Sequence, residues 1–333
     1  MKENYLLLQT AQAFALAVAL TTCAQLGFAQ PAREYHRTLQ VALADPVILD
    51  VHLSEGELQI AYGRDEQVSI VAIAQIPTGM KAGEPLLATP ISVEQDGNHL
   101  SVRNSSGADK IRIVCRIDAP YRTEVHSVVD NGKQTITGIM GPVKAQTKKG
   151  DIKMSYVSKS ALAEAGSGNL DLEVIGAHVE ARTGDGAISC IRALQGVEAE
   201  TGDGDIVLMV VGPSTATVKK GTGRIEVGGA RGGFTGSTDG GDLRVKAAPH
   251  DDWRLTSVSG NIRVELPQAA RFEVEAMTGS GAVLINRDDM EKPEAGVHNL
   301  HQKVNGGGKR IEARTESGKI VICENSAFSA PLR

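Results

Sequence analysis

The chain has 333 residues, of which 41% are hydrophobic and 23% charged, and these apolar residues are too plentiful for an intrinsically disordered chain. The net charge of −5, from 35 basic and 40 acidic residues without a block of one sign, argues against a nucleic-acid-binding surface. Glycine is abundant, with 37 residues, and only 3% of the residues are aromatic. This composition predicts short strands separated by tight turns.

Residues 1–29 have the features of a secretory signal peptide. Lys2 supplies a positive charge, and the apolar stretch 11–20 is shorter than the roughly 20 residues that span a bilayer. Gly27 and Ala29 place small residues at positions −3 and −1 of a cut before Gln30. We expect cleavage after Ala29 and an exported mature chain (periplasm, cell surface or extracellular) without a transmembrane segment. A retained membrane anchor is the alternative interpretation.

Three cysteines remain after the predicted cleavage: Cys115, Cys190 and Cys323. Their odd number and wide spacing do not fit a disulfide framework or a C-x-x-C metal or redox site. At most one disulfide can form, and buried thiols are the favoured interpretation.

Residues 30–125 are predicted to be a β-strand cap region. Strand character is strongest at 47–51, 68–71, 91–93 and 100–102, and the turn residues 96–98 (D-G-N) predict a hairpin between the last two. Residues 76–90 contain three prolines and two glycines and are predicted to form a surface loop.

An internal repeat dominates residues 126–325. Nine units carry an apolar anchor residue, at Ile152, Leu170, Ile188, Ile206, Ile225, Leu243, Ile262, Val283 and Ile320. Each anchor has a glycine two residues before it, at Gly150, Gly168, Gly186, Gly204, Gly223, Gly241, Gly260, Gly281 and Gly318. The spacing is 18 or 19 residues for the first seven anchors, then 21, and the last interval of 37 is about two periods.

Apolar or small residues also recur two residues after each anchor and five, seven and nine before it. The −9 position holds Val143, Ala161, Val179, Val197, Ala216, Phe234, Trp253, Val274 and Ile311, and −5 holds threonine, serine or alanine except at Lys220. This period of two predicts that each unit is two short strands with one buried face, joined by a bend. The glycine provides either a positive φ or a close approach of two chains.

Such units bury their apolar residues only when they stack on one another. The sequence therefore predicts an all-β, elongated, solenoid-like stack of about nine rungs, with successive units adjacent. Residues 286–303 are predicted to protrude as a loop, and residues 326–333 to form a flexible tail.

The turn sequences resemble those of a known family. Residues 183–188 (T-G-D-G-A-I) and 201–206 (T-G-D-G-D-I) look like its recurring T-G-x-G-x-I turn, and 304–320 is similar to its closing element. The family is the bacterial group of adhesin-like β-strand repeats of unknown function, also called toastrack domains. The resemblance covers roughly 45–325, and it implies a repeat fold without implying a chemistry.

Several motifs could carry a site, and each also has a structural interpretation. The glycine turns lack the spacing of a phosphate-binding loop. Asp185, Asp203 and Asp205, on adjacent rungs, are a candidate calcium site or solvated turn residues. His298 and His301 form a close histidine pair that has no third zinc ligand.

Two pairs of carboxylates, at 251–252 and 288–289, keep a glycosidase interpretation open. Trp253 is either a platform for a sugar ring or a core residue, and its place in the −9 column favours the core.

The sequence thus assigns no catalytic, cofactor-binding or metal-binding residue and no cofactor. We expect a non-enzymatic, adhesin-like scaffold that presents an extended surface to an envelope component or another protein. A β-helical enzyme acting on polysaccharide is the alternative. The identity of the partner and the oligomeric state do not follow from the sequence.

Overall fold

A computed structural model describes residues 34–42, 46–75, 89–219, 221–291, 293 and 296–324, and all regular elements in these residues are strands. The N-terminal strands are β1 (Glu34–Gln40), β2 (Val47–Tyr62), β3 (Gln67–Gln75), β4 (Ile91–Asp96), β5 (His99–Asn104), β6 (Arg112–Ala119) and β7 (Thr123–Thr137).

The strands of the repeat follow. They are β8 (Val143–Lys149), β9 (Ile152–Val157), β10 (Ala161–Ser167), β11 (Leu170–Ile175), β12 (Val179–Asp185), β13 (Ile188–Ala193), β14 (Val197–Asp203), β15 (Ile206–Met209), β16 (Ser214–Val218), β17 (Ile225–Gly228), β18 (Phe234–Thr238), β19 (Leu243–Lys246), β20 (Trp253–Ser257), β21 (Ile262–Leu266), β22 (Phe272–Thr278), β23 (Val283–Asn286), β24 (Asn299–Val304), β25 (Lys309–Thr315) and β26 (Ile320–Glu324).

These strands stack in parallel as twelve layers, each a bent pair of strands or one long bent strand. In spatial order the layers are β5 with β6, β2, β7, β8 with β9, β10 with β11, β12 with β13, β14 with β15, β16 with β17, β18 with β19, β20 with β21, β25 with β26, and β22 with β23. At about 4.8 Å per strand the stack is roughly 50 Å long. The predicted all-β, solenoid-like fold is confirmed.

The predicted anchor columns are confirmed in register and in burial. Ile206 pairs with Ile188 on one side and Ile225 on the other, and all three are fully buried. Two residues along, Cys190, Leu208 and Val227 form a second buried column. The core is therefore a set of ladders that run through the stack.

Three layers precede the nine predicted ones. Strand β7 follows the same pattern, with Gly132 in the glycine position, but its anchor is the polar Gln134. Gln134 is fully buried, where it accepts a 2.6 Å hydrogen bond from the Ser127 hydroxyl and donates one to the carbonyl oxygen of Gln146. These bonds offset the cost of burying the amide. Strand β2 and the pair β5 and β6 continue the stack beyond β7.

The spatial order departs from the chain order at both ends. Strand β2 lies between the β5–β6 layer and β7, and the chain-terminal pair β25 and β26 lies between β20–β21 and β22–β23. The expectation that successive units are adjacent is therefore wrong for the last two, because each can extend the same ladder in either order.

Antiparallel strands cover both ends of the stack. Strands β3 and β4 pair with β6 and β5, and β24 pairs with β22. The predicted hairpin at 96–98 is confirmed as the β4–β5 turn, with Gly97 at φ 58°. The prediction of a protruding loop at 286–303 is wrong at both ends, since Asn286 is the last residue of β23 and residues 299–303 lie in β24.

The glycine column exists because the bends of neighbouring layers touch. A methyl group at Gly168 would lie 2.0 Å from the carbonyl oxygen of Gly150, and one at Gly204 would lie 2.1 Å from that of Gly186. The same contact recurs throughout the column from Gly56 to Gly281. A positive φ is needed in only part of it, including Gly204 at 147°. The close approach of the backbones of neighbouring layers is therefore what requires glycine throughout this column.

The register of β16 differs from the predicted one. Ser214 pairs with Val197 and with Phe234, so Ser214 and not Ala216 is the −9 residue of this unit. Ala216 takes the −7 position, and Lys220 falls outside the described residues. The connection before Ser214 is one residue shorter than in the preceding layer, and the bend after it is longer.

The predicted signal peptide, most of the predicted 76–90 loop and the predicted tail lie outside the described residues. The predicted boundary between residues 125 and 126 falls inside β7. The division into a cap and a repeat domain stays a prediction.

Candidate functional site

The front face is the outward side of the first strand of each layer, and most of its charged residues pair between layers. Arg182 of β12 contacts Glu180 in the same strand and Glu198 in the next layer, at 2.8 Å for Glu198. Lys219 pairs with Glu200, and Arg254 with Glu312. Exposed pairs contribute at most about 1 kcal/mol each, so they fix side-chain positions more than they stabilise the fold.

Hydroxyl groups replace the charges in the middle of the front face. Thr215 and Thr217 of β16 lie beside Thr235 and Ser237 of β18, and Thr256 of β20 continues the second column. Thr215 and Thr235 are exposed.

A groove of about 310 Å³ begins at these threonines. Its residues come from successive layers and occupy three adjacent positions: His178, Pro213, Gly233 and Asp252, then Val197, Ser214 and Phe234, then Glu198, Thr215 and Thr235. The middle set is buried and forms the floor, and the other two form the walls. Pro213 and Gly233 are small residues at the centre, between His178 and Asp252 at the two ends.

The groove walls offer hydrogen-bonding groups that the protein does not use. Only one oxygen of Glu198 accepts from Arg182, and only one of Asp252 accepts from the backbone N–H of Arg310. The hydroxyls of Thr215 and Thr235 and the His178 imidazole have no partner among the described residues. The arrangement can hold a ligand that both donates and accepts hydrogen bonds.

The predicted calcium ligands Asp185, Asp203 and Asp205 do not converge. Asp205 accepts a 2.8 Å hydrogen bond from the backbone N–H of Arg224 in the next layer and also contacts its guanidinium. Other residues at this position do the same, namely Asp151, Asn169, Asp242 and Asn261. Asp205 therefore belongs to a structural ladder, while Asp185 and Asp203 pair through their backbones in β12 and β14.

Three of the residues considered for sugar chemistry have structural roles. Trp253 is 2% exposed and its indole donates to the carbonyl oxygen of Gly232, so the core interpretation is confirmed. Asp251 contacts Lys309. Asp289 forms a two-oxygen contact with the fully buried guanidinium of Arg287, which also donates to three backbone carbonyls. The Arg287 hydrogen bonds lower the pKa of Asp289.

His298 and His301 do not form a pair in the structure. The His301 ring contacts Glu273 at 2.6 Å, and this hydrogen bond lowers the pKa of Glu273. The backbone carbonyl of His298 accepts from Thr278. Within the described ranges there is no group of three side chains placed to hold a metal ion.

The three cysteines are free and buried, as the favoured interpretation expects. Burial raises the pKa of both Cys115 and Cys190 to about 12. Thiols in such surroundings are poor nucleophiles.

Sequence reasoning missed a chain of histidines and carboxylates on layers 1 to 3. Asp50 contacts His99 at 2.5 Å and His126 at 3.1 Å, and His126 contacts Glu124 at 2.9 Å. Burial tends to raise the pKa of Asp50, but hydrogen bonds from the two histidines outweigh it and lower the pKa. The residues come from β2, β5 and β7, whose adjacency the sequence does not reveal.

Sequence reasoning also missed the groove. A signal for it exists: Ser214 follows Val197 at a spacing of 17 residues, whereas Val197 follows Val179 at a spacing of 18, and Gly212 and Pro213 lie at the shortened corner.

The sequence profile described as Toastrack DUF4097 matches residues 48–323, which is most of the chain. The chain belongs to the toastrack family. The predicted resemblance is thereby confirmed, and the twelve layers described above are the architecture of this toastrack domain. No curated protein matches the toastrack chain.

Three solved structures illustrate how far the likeness extends. A candidate adhesin of Parabacteroides merdae is 12% identical with a TM-score of 0.31, and one of Bacteroides fragilis is 10% identical with a TM-score of 0.27. In both cases the match covers 88% of the toastrack chain and 97% of the other. A candidate cell adhesion protein of Clostridium sporogenes is 12% identical with a TM-score of 0.21, over 88% and 100% of the two chains. No helix among the described residues is long and apolar enough to cross a membrane.

Proposed function

We propose that this toastrack domain is an exported, non-enzymatic, adhesin-like scaffold that presents an extended surface to a cell-envelope component or another protein. The observation that carries the proposal is the continuous front face of twelve parallel layers, on which the charged residues are held by pairs between layers. A surface of this kind is already ordered before it meets a partner, so little conformational entropy is lost on binding.

The chemistry of the face supports binding rather than catalysis. The carboxylates of Glu198 and Asp252 are exposed, whereas a glycosidase acid needs burial to raise its pKa. The Cys115 and Cys190 thiols are buried, away from any substrate.

The proposal of export rests on the predicted cleavage site after Ala29, which lies outside the described residues. N-terminal sequencing of the protein recovered from the cell envelope or the medium tests it. A mature chain that begins at Gln30 supports export with cleavage, and a chain that still carries residues 1–20 contradicts it.

One experiment separates the scaffold from the polysaccharide-active alternative. The purified protein is incubated with intact cells of the producing bacterium and with their isolated envelope polysaccharide, and both bound protein and new reducing ends are measured. Saturable binding without new reducing ends supports the scaffold. New reducing ends that increase with time would establish the enzyme instead, and a lack of saturable binding to either preparation would contradict the proposal.

A further inference from the structure

We propose that the groove between His178 and Asp252 is a binding site for a short, uncharged, linear oligosaccharide. The inference deepens the proposed scaffold function by naming the class of ligand. It rests on that function for its biological setting and on the groove for its chemistry.

The dimensions of the groove suit a small chain of sugar rings. Its volume of about 310 Å³ is at the lower end of the roughly 300–1,000 Å³ that is typical of ligand sites. It runs along the stack axis, so equivalent wall residues recur at about 4.8 Å, close to the rise of one hexose in an extended glycan. Thr215 and Thr235 are such equivalents, because they pair directly in β16 and β18.

The hydrogen-bonding groups match the hydroxyls of a sugar. A sugar hydroxyl donates and accepts at once, and the groove supplies both kinds of partner. Glu198 and Asp252 each have an oxygen that no described residue engages, and they accept. Thr215 and Thr235 both donate and accept, and the exposed His178 ring adds one of each in its neutral form.

The charges of the groove select against anionic glycans. Glu198 at one wall and Asp252 at one end repel a uronic acid or a phosphate. The two guanidinium groups beside the walls are already paired, that of Arg182 with Glu198 and that of Arg254, next to Thr235, with Glu312. A neutral chain meets no such penalty.

A peptide strand is not the occupant that the site fits. Strands β14, β16, β18 and β20 are already paired on both sides within the stack, so they offer no open edge to an added strand. Recognition must therefore come from side chains and from the corner residues.

The ring of Phe234 lies in the floor and is 1% exposed, so hydrogen bonds and not ring stacking carry the binding. Weak single-site affinity follows, and it is adequate on a surface where many copies engage one polymer.

The test is a titration followed by NMR and by calorimetry. The probes are short oligomers of glucose, mannose, xylose and N-acetylglucosamine, with oligogalacturonate as the anionic comparison. Removing the two hydroxyls without changing side-chain shape, in the double variant Thr215→Val/Thr235→Val, is expected to weaken binding of the neutral oligomer about tenfold or more, which is about 1.4 kcal/mol.

The chain offers a matched control on the same strands and the same face. Thr217→Val/Ser237→Ala removes two hydroxyls that lie two residues further along and outside the groove lining. It should leave both binding and melting temperature unchanged. An equal loss of affinity for the neutral oligomer in the two double variants would overturn the inference. Binding of oligogalacturonate but of no neutral oligomer would also overturn it.

Failure of this inference is distinguishable from failure of the proposed function. If none of the neutral oligomers binds while the protein still binds intact cells saturably, the groove is not an oligosaccharide site, and the proposed scaffold function is retained. If an oligomer binds in the groove but the protein binds neither cells nor envelope polysaccharide, the scaffold proposal is wrong, and the assignment of the groove as an oligosaccharide site is retained.

Discussion

The hydroxyl of Thr201 donates a 2.9 Å hydrogen bond to the carbonyl oxygen of Gly186 in the neighbouring layer. Equivalent bonds join the −5 residue and the glycine column elsewhere, at Thr183 with Gly168, Thr238 with Gly223, Ser257 with Gly241, Thr278 with Gly318 and Thr315 with Gly260. The threonine and the second glycine of the T-G-x-G motif therefore act together to join the bends of neighbouring layers. The glycine lets two bends touch, and the hydroxyl satisfies the carbonyl that this contact encloses.

Thr201→Val keeps the shape of the side chain and removes this donor. In this variant the Gly186 carbonyl loses its hydrogen bond from the hydroxyl. Because Thr201 is fully buried, we expect a loss of about 1–3 kcal/mol in the free energy of unfolding. Urea denaturation measures it. The control Thr217→Val, on the outward side of β16, should stay within about 0.5 kcal/mol of the parent. Equal effects would show that the bond does not stabilise the bend.

Gly204→Val should damage folding far more than Asp203→Val. The new side chain would meet the Gly186 carbonyl and would stand at a φ of 147°, so the cost is on the order of 3 kcal/mol or more. Asp203 is exposed in the same bend. The melting temperatures of both variants and of the parent are measured with and without a calcium chelator. Equal damage, or a chelator effect in the parent that Asp203→Val abolishes, would favour a metal site.

Ile206→Asp tests the buried ladder. The carboxylate would lie without a partner between Ile188 and Ile225, which should cost several kcal/mol. The matched control is Val207→Asp, one residue along and on the outward face. A melting temperature of the Ile206 variant within a degree or two of the parent would refute the inward orientation.

Asp289 should make stability depend on pH. Its pKa is lowered in the folded state by Arg287, so its contribution is present above the unfolded value of about 3.9 and is lost as the pH falls through the lower folded value. Asp289→Asn should therefore be less stable than the parent near neutral pH by about 1–3 kcal/mol, and the gap should narrow near pH 2. Urea denaturation at both pH values measures it. Asp288→Asn, at the neighbouring carboxylate that does not pair with Arg287, is the control. A stability difference between Asp289→Asn and the parent that does not change with pH would contradict the assigned role of Asp289.

The sequence predicts the repeat well because each unit must bury the same columns. Nine of the twelve layers follow from the spacing of glycine and an apolar anchor. Layer 3 does not show this pattern, because the polar Gln134 stands in place of the apolar anchor. Gln134 is hydrogen-bonded to Ser127, a contact that only the folded chain reveals. Layer 8 is shifted because a shortened corner before Ser214 offsets a longer bend.

The order of the layers could not be predicted from the repeat. Self-similar units can stack on one another in any spatial order. Ile320 therefore pairs with both Ile262 and Val283 and lies between them. The groove is a consequence of small differences between layers, and its members are ordinary residues such as Thr215 and Gly233. Apart from the shortened connection before Ser214, no local motif marks them.

The most direct test of the stack is amide hydrogen exchange in β25. This strand is near the C-terminal end of the described chain but is paired on both sides, with β20 and β22, whereas β24 pairs on one side only. The amides of β25 are expected to exchange as slowly as those of β20 and more slowly than those of β24. Exchange of β25 as fast as that of β24 would contradict the interlocked order of the layers.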